Sequence, residues 1–462
     1  MLQVVPEIDR LLGIETFATK TIGVGGRIRG VTEDFQVEEL LVDGSKAHFT
    51  PPTKEPQALG ASLEQQPQQP QHLLCVLAKQ NWDTFLAIKH VANRLGTGQN
   101  SVQIAGIKDA KAVTAQYVTI ENLKIDDVHT VNVNGIQIRP VGYLRYPLSI
   151  FYLLGNSFKT KITHITQEPD VVNTQMNQII EEITDLGGIP NYYGHQRFGT
   201  TRPITHYVGK AILDGNFEEA AMLFLAKPSP DEHPESKKVR TELQQNHDFE
   251  IALKHYPKQL HYERLMLKYL NEKPNEYIKA FNVLPLKLQA LFVQAYQSYL
   301  FNRFLSERVK ADLPLNKVEI GDFVVGVERT GLPMVNMPQI VTIQNQAKTN
   351  EALATGKMRL ALPIIGFKQK LSGGFMGELE QRVLQQEKVN LQSFHVTINS
   401  RLGNRGSLRT ALTPVKDFKL LSTSKEIDGL TISIAFTLLR GCYATVLLRE
   451  IIKPKNLIAA GF

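Results

Sequence analysis

The chain has 462 residues, of which 42% are hydrophobic, and this length corresponds to about two to four domains with buried cores. Its 52 lysines and arginines exceed its 45 aspartates and glutamates, and the net charge of +7 favours a polyanionic partner such as nucleic acid. Two cysteines exclude a disulfide framework, and because the sequence has neither a signal-peptide pattern nor an apolar run of about 20 residues, we predict a soluble, cytoplasmic protein with reduced thiols.

The first predicted elements are two strands and a helix. Residues 27–42 carry apolar residues at alternate positions and predict a half-buried strand. The Pro- and Gln-rich stretch at 48–72 has no period and predicts an exposed loop, and LLCVLAK at 73–79 predicts a second strand. Asn81 or Asp83 can cap the helix that follows. The apolar face of that helix is expected to carry Phe85, Ile88, Val91 and Leu95.

The next segment, SVQIAGIKDAKAVTAQYVTI at 101–120, predicts a strand, a short loop and another strand. The loop contains one carboxylate, Asp109, with Lys108 and Lys111 close to it in the chain. Catalytic groups often lie in loops that rigid elements hold on both sides. Asp109 is therefore a candidate catalytic residue.

Two amphipathic helices follow, at 170–186 and about 286–308, and the aromatic residues of the second are typical of core packing. Between them, IPNYYGHQRFGTTRP at 189–203 is a loop rich in aromatic, amide and basic residues. Short strands are expected within 311–371, and the C-terminus predicts a strand, a turn at Arg440-Gly441, and then a second strand or a strand followed by a helix. Strands and helices without steady alternation favour the α+β class.

The sequence lacks the motifs of several common enzyme classes. It contains no P-loop, no H-E-x-x-H, no C-x-x-C, no zinc-deaminase pattern and no G-x-S-x-G. The glycine-rich GVGGRIRG at 23–30 is better explained as a turn, and His195 as a structural or surface residue. The remaining features fit a reaction that needs one carboxylate, no metal and no redox cofactor, on a flat ring that can stack.

Four segments are informative together: EDFQVEE at 33–39, AGIKDAKAVTAQ at 105–116, NYYGHQRFG at 191–199 and GCYATVLLRE at 441–450. The second resembles the motif G-x-K-D-x-x-A-x-T-x-Q of the TruD family of tRNA pseudouridine synthases. The others resemble that family's E-D-F-x-V-x-E, N-[YF]-[FY]-G-x-Q-R-F-G and G-x-[FY]-A-T-x-x-x-R-E segments, in the family's order.

The resemblance implies a fold. The family has a pseudouridine synthase catalytic domain with a mixed, mainly antiparallel sheet, into which a family-specific α/β domain is inserted. By this resemblance we expect the catalytic domain at 1–212 and 416–462, and the inserted domain at 213–415. The early and late motifs would then belong to one sheet, with the RNA in a cleft between the domains.

The resemblance also implies an activity, the isomerisation of uridine to pseudouridine in RNA, typically at position 13 of tRNA. The family's catalytic aspartate falls on Asp109. Whether such a carboxylate attacks the sugar C1′, adds to the ring or removes a sugar proton stays open, but each route needs it ionised. Arg29 matches a basic pocket position and is the expected partner of Asp109, since a neighbouring cation favours the charged form of a carboxylate.

Other pocket residues carry over by position. Asn191 matches the amide that orients the aspartate and the uridine, and Tyr193 matches the stacking position, where the family usually has Phe. Phe35 and Tyr443 match the remaining pocket aromatics, although plain core packing is the alternative for both. A tyrosine at position 193 keeps a ring for stacking and adds a phenol that could accept a proton.

The expected partner is tRNA, with another RNA as the alternative, and no cofactor, metal, membrane or obligate protein partner is expected. Phosphate contacts would offset the cost of extruding the target base, although an ordinary solvated basic surface is the alternative. The candidate phosphate ligands are Lys108, Lys111, Arg202, Lys210, Arg401, Arg405 and Arg409. Two other functions stay open: a noncatalytic RNA-binding protein that retains the fold, and a small-molecule enzyme with a carboxylate base.

Overall fold

The computed structural model describes residues 4–50, 52, 57–64, 71–395 and 404–462. Its strands are β1 (Phe35–Leu41), β2 (His72–Gln80), β3 (Val102–Ile104), β4 (Val113–Glu121), β5 (Ile136–Leu144), β6 (Leu153–Ile165), β7 (Ile189–Pro190), β8 (Phe323–Val327), β9 (Pro333–Ile340), β10 (Met358–Ile364), β11 (Ser407–Thr410), β12 (Leu412–Thr413), β13 (Lys416–Glu426) and β14 (Gly429–Leu439).

The α-helices are α1 (Glu7–Leu11), α2 (Thr84–Arg94), α3 (Ile125–Val128), α4 (Pro169–Leu186), α5 (Thr205–Leu213), α6 (Phe217–Ala226), α7 (Pro234–Asn246), α8 (Phe249–His255), α9 (His261–Glu272), α10 (Tyr277–Asn282), α11 (Leu286–Lys310), α12 (Gln346–Ala354), α13 (Gly374–Gln386) and α14 (Ala444–Ile452). Short 3-10 helices include Ile150–Tyr152 and His195–Arg197.

An eight-stranded sheet has the order β13-β14-β6-β1-β4-β2-β5, with β3 paired to β4. Its β1 and β4 are parallel, and the other neighbouring strands are antiparallel. The predicted mixed, mainly antiparallel sheet and the α+β class are therefore confirmed. The sheet also joins the early EDFQVEE strand, β1, to β14 near the end of the chain.

A second sheet of four strands has the order β11-β10-β8-β9 and lies within the region predicted as an insertion. The helix α5, which ends at the predicted boundary, packs closely on α11, because a Cβ at Gly209 would come within 2.0 Å of the Phe292 carbonyl oxygen. The domain limits at 213 and 415 stay a prediction.

The local sequence explains the helices that support the site. In α4, Val172, Met176, Ile179 and Ile183 are buried at helical spacing, and Gly187 ends the helix with φ +84°. In α2, the Asp83 carboxylate accepts hydrogen bonds from the first turn, as predicted for one of the two candidate caps. Phe85 is 49% exposed, so the predicted apolar face of α2 is wrong at this residue.

The main core cluster lies on the side of the large sheet that carries Phe35. The Phe35 ring meets Phe158 edge-on at 6.1 Å, and Phe158 stacks on Phe436 at 5.1 Å. Buried residues of α4, α11 and α14 belong to the same cluster, so the aromatic residues of α11 are core residues as expected. The element after the Arg440-Gly441 turn is the helix α14, and the strand β13 was not predicted.

Candidate active site

The Asp109 loop leads into β4, whose parallel pairing with β1 spans three residue pairs and begins at Val113. Their parallel pairing ends at Glu38 and Ala115. Beyond it, the Glu39 carboxylate accepts the Tyr117 main-chain N–H at 2.9 Å and the Lys108 ammonium at 2.6 Å. This ion pair is buried, with 4% of the Lys108 side chain exposed. It fastens the loop to the first strand.

Two more side chains hold the main chain of the same loop. The Thr84 hydroxyl accepts the Lys108 N–H at 3.1 Å and donates to the Lys108 carbonyl at 3.0 Å. The Lys79 ammonium donates to the carbonyls of Asp109 at 2.8 Å and Trp82 at 2.7 Å. Burial lowers the pKa of Lys79 to about 8. The position of Asp109 is thus set by its backbone, and its carboxylate stays free for chemistry.

The Asp109 carboxylate is 39% exposed and faces Arg29, whose Nη2 lies 3.7 Å from its Oδ1. The Arg29 guanidinium also stacks 4.3 Å from the centre of the Phe35 ring. Within the described part of the chain, the buried Nε and Nη2 atoms of Arg29 have no hydrogen-bond partner. Burial lowers the pKa of Arg29, although the Asp109 charge acts in the opposite direction. The Asp109 carboxylate is thus the charge that the buried Arg29 guanidinium faces.

Asn191 and Tyr193 belong to a second group of side chains. The Asn191 main-chain N–H donates to the Ala411 carbonyl at 2.8 Å, and its side-chain amide donates to the Thr410 hydroxyl at 3.1 Å. Its Oδ1 accepts from Arg409 Nη2 at 2.6 Å. Because a guanidinium only donates, this contact fixes which end of the Asn191 amide is the oxygen.

The Tyr193 backbone is held by Asn302 of α11, which bonds both its N–H, at 2.8 Å, and its carbonyl, at 3.1 Å. Edge contacts join the Tyr193 ring to Tyr443 at 6.1 Å and to Phe301 at 5.6 Å. The Arg409 guanidinium lies 4.1 Å from the centre of the Tyr193 ring. Tyr193 is therefore held in place by its backbone and by the rings around it.

Tyr443 immediately precedes α14 and stands beside the Asn191 loop. A Cβ at Gly194 would lie 2.9 Å from the Tyr443 ring and 2.9 Å from the Thr445 hydroxyl, so the loop approaches α14 closely because residue 194 is glycine. Burial raises the pKa of Tyr443, which keeps its phenol protonated. The Tyr443 phenol can therefore act as a hydrogen-bond donor.

The two groups border one core. Phe35 and Ala112, on either side of the Asp109 loop, lie in the same buried cluster against which Tyr193 and Tyr443 pack. The structure brings Asp109 together with Arg29 and Phe35, and it brings Asn191 together with Tyr193, Tyr443 and Arg409. That both groups bind one nucleoside is a proposal.

Three of the predicted phosphate ligands bond to other residues of the protein. Lys108 is in the buried pair with Glu39, so its charge already has a partner inside the protein, and its role in RNA binding stays a prediction. Arg202 donates to the Phe224 carbonyl at 2.7 Å, and burial lowers its pKa to about 10, so it is a structural residue as well. Lys210 donates to the Glu387 carbonyl and to the Tyr296 hydroxyl. Each of these side chains therefore has an oxygen partner within the protein.

The other predicted phosphate ligands differ in position. Lys111 and Arg405 are exposed, and their role in RNA binding stays a prediction. Arg409 contacts Asn191 and Tyr193, which the sequence did not indicate. Arg401 lies outside the described residues. His195 has the structural role expected, since its Nε2 lies 2.7 Å from the buried Asp9 carboxylate.

Sequence reasoning missed the residues that position the loop, notably Glu39, Lys79 and Asn302. Glu39 carried a signal, because it occupies an inward position of the alternating strand, where a charge needs a partner. Lys79 and Asn302 carried none, since the site residues that they hold, Asp109 and Tyr193, are distant from them in the chain. Among the described residues, no cluster of three or more His, Cys, Asp or Glu side chains could hold a metal, and none of the helices is long and apolar enough to span a bilayer.

Comparison with known proteins identifies the family. The family described as tRNA pseudouridine synthase D (TruD) matches residues 11–451. The chain belongs to this family. Proteins named "Probable tRNA pseudouridine synthase D" are 33% identical in Methanosarcina mazei, covering 98% of this chain and 99% of theirs, and 35% identical in Pyrococcus abyssi, covering 95% and 98%.

A solved structure agrees with this TruD family assignment. The crystal structure of a Methanosarcina mazei protein assigned to tRNA pseudouridine synthase D matches with a TM-score of 0.80 at 32% identity. The match covers 97% of this chain and 98% of that one. The TruD fold therefore extends over nearly the whole chain, including the second sheet.

Proposed function

We propose that this TruD family member isomerises uridine to pseudouridine in tRNA, at position 13, with Asp109 as the essential carboxylate. The observation that carries the proposal is the contact of Asp109 Oδ1 with Arg29 Nη2 at 3.7 Å, on a loop that Lys79, Thr84 and Glu39 hold rigidly. The preorganised carboxylate needs no rearrangement before it meets the nucleoside. The proposed site of action is the cytoplasm.

In this reaction the bond between uracil N1 and the sugar C1′ breaks, the base turns, and its C5 bonds to C1′. The proton leaves C5 and N1 gains a proton, so substrate and product are isomers. Asp109 must be ionised to attack, add or accept a proton. The guanidinium of Arg29 supports this role by placing a positive charge beside the carboxylate.

The bound uracil would be held by rings and by an amide. An extruded base costs a few kcal/mol, and stacking on an aromatic ring recovers about 1–3 kcal/mol. Asn191 uses one N–H and one oxygen lone pair for Thr410 and Arg409. A primary amide has a second N–H and a second lone pair, so Asn191 can also bond the uracil edge. Tyr193 supplies the stacking face in this proposal.

A tRNA transcript labelled with tritium at uridine C5 tests the proposed function. The purified protein should release tritium into water in proportion to the pseudouridine formed, and mapping the product should place it at one position. No release from any tRNA pool would favour the alternative, a noncatalytic RNA-binding protein with this fold. Activity on free uridine alone would favour a small-molecule enzyme.

A further inference from the structure

A cavity of about 140 Å³ lies next to the Asn191 and Tyr193 side chains, between the two sheets. Three arginines line it: Arg359 of β10, Arg409 of β11 and Arg440 of the turn after β14. Two of these strands belong to the four-stranded sheet, and the third arginine follows the last strand of the eight-stranded sheet. Three positive charges from both sheets thus converge on one small space.

None of these charges is balanced by a carboxylate among the residues that the structure describes. The arginine ion pairs there involve other arginines. Arg359 Nη2 donates to the Gly331 carbonyl at 3.0 Å, and Arg440 Nη1 donates to the Ile150 carbonyl. Neighbouring guanidinium groups without counter-charges repel one another, so an anion in the cavity would be stabilised.

Each guanidinium also keeps donors for such an anion. A guanidinium has five N–H groups, and the bonds to protein oxygens use Nη2 of Arg359, Nε and Nη2 of Arg409, and Nη1 of Arg440. This leaves Nε and Nη1 of Arg359, Nη1 of Arg409, and Nε and Nη2 of Arg440. Arginine forks of this kind match the oxygens of phosphate and carboxylate groups.

We propose that this cavity binds one phosphate group of the RNA backbone beside the target uridine. Its volume equals that of about four or five waters at about 30 Å³ each, which suits a phosphate group and not a whole nucleotide. The RNA as the source of the phosphate rests on the proposed function. The charge and the geometry of the cavity do not depend on that function.

Such a contact would link RNA binding to the arrangement of the pocket. Arg409 reaches the cavity and at the same time bonds Asn191 Oδ1 and stacks on Tyr193. A phosphate bound by Arg409 therefore restrains the guanidinium that orients both residues. The anion would also hold the two sheets together at the site.

Arg359 gives the sharpest test, because it does not contact Asn191 or Tyr193. The dissociation constant for unmodified tRNA is measured between about 50 and 200 mM salt for the wild type, Arg359→Gln, Arg359→Lys and the control Arg382→Gln. Arg382 is exposed on α13 and does not line the cavity. Thermal unfolding of each variant shows that it is folded.

We expect Arg359→Gln to raise the dissociation constant about tenfold and to lower the slope of its logarithm against log salt by about 0.7–0.9, the share of one phosphate. Arg359→Lys keeps a charge, so the slope is retained and the loss of affinity is smaller. Arg382→Gln behaves as the wild type. A wild-type affinity and slope for Arg359→Gln would overturn the proposal.

A scan of short RNAs that contain the uridine and one neutral methylphosphonate linkage identifies the source of the phosphate. In the wild type, one linkage next to the uridine should weaken binding, and in Arg359→Gln the same linkage should weaken it less, because only Arg409 and Arg440 still face the phosphate. If no single methylphosphonate linkage changed the affinity, and inorganic phosphate bound in the cavity, the cavity would be a site for free phosphate. That result would refute the contact with the RNA backbone. These binding measurements do not depend on catalysis, so a failure of the proposed isomerisation would be seen separately, as absent tritium release.

Discussion

Arg29 reaches Asp109 across Phe35: its guanidinium stacks 4.3 Å from the Phe35 ring centre, and its Nη2 lies 3.7 Å from Asp109 Oδ1. The backbone at Arg29 has φ +56°, an uncommon conformation for a residue other than glycine. A side chain held by a ring and by its own backbone can place its charge with little loss of entropy.

Arg29→Gln should lower the rate of pseudouridine formation about 10- to 100-fold, and Arg29→Lys should restore part of it. An ion pair near 4 Å is worth about 1 kcal/mol in water and about 4 kcal/mol near a protein surface, and the exposure of Asp109 favours the lower part of this range. Single-turnover assays at saturating tRNA provide the measurement. The exposed Arg94→Gln serves as a control. Full activity of Arg29→Gln would refute the pairing.

Lys108→Met should destabilise the protein by about 3–5 kcal/mol, because it leaves the Glu39 carboxylate buried without its partner. The double variant Glu39→Gln/Lys108→Met should recover part of this loss. Urea unfolding gives the free energies, with the exposed Lys111→Met as the matched control. If Lys108→Met unfolded like the wild type but bound tRNA with a smaller salt dependence, Lys108 would be a phosphate ligand after all.

Tyr193→Phe should keep most of the activity, since the ring supplies the stacking face and its backbone contacts with Asn302 do not involve the phenol. Tyr193→Ala should lower kcat/KM about 10- to 100-fold, the equivalent of about 1–3 kcal/mol of stacking. Steady-state kinetics with transcript tRNA distinguish the two. A loss in Tyr193→Phe as large as in Asp109→Asn would make the phenol a proton acceptor.

The buried Glu380 carboxyl group should make the stability of the folded protein depend on pH. Burial raises its pKa to about 8, although its oxygens accept hydrogen bonds from the Ser372 N–H and hydroxyl at 2.8 Å. Because the folded state holds this proton more tightly than the unfolded state, the contribution of Glu380 to stability is fully present below about pH 4.5 and is lost as the pH rises toward 8.

Glu380→Gln, which stays neutral, should remove this dependence. Its stability relative to the wild type should rise by about 4 kcal/mol between pH 5 and pH 9, because the difference between a pKa of about 8 and the ordinary 4.5 is worth about 1.4 kcal/mol for each pKa unit. Urea unfolding at pH 5 and pH 9 measures the difference. An equal effect of the substitution at both pH values would show that Glu380 does not titrate on unfolding in this range.

The sequence predicted elements whose pattern is local. The strands around Asp109, the helix α4 with its terminal glycine and the loop after it could all be found from spacing. The contacts that the sequence did not predict join residues that are distant in the chain. Lys108 pairs with a residue 69 positions earlier, so a charge that looked available for phosphate is used inside the protein. Arg409 bonds Asn191, 218 positions earlier, so its contact with the pocket could not be read from the sequence around it. Such pairs cannot be predicted from the residues that surround each partner in the sequence.

The most direct test of the central claim compares catalysis with binding in Asp109→Asn. Tritium release and the dissociation constant for tRNA are measured side by side, with the exposed Asp231→Asn as the control. We expect Asp109→Asn to bind tRNA within about threefold of the wild type, while its rate of pseudouridine formation falls on the order of 10³-fold or more. Pseudouridine formation by Asp109→Asn at the wild-type rate would contradict it.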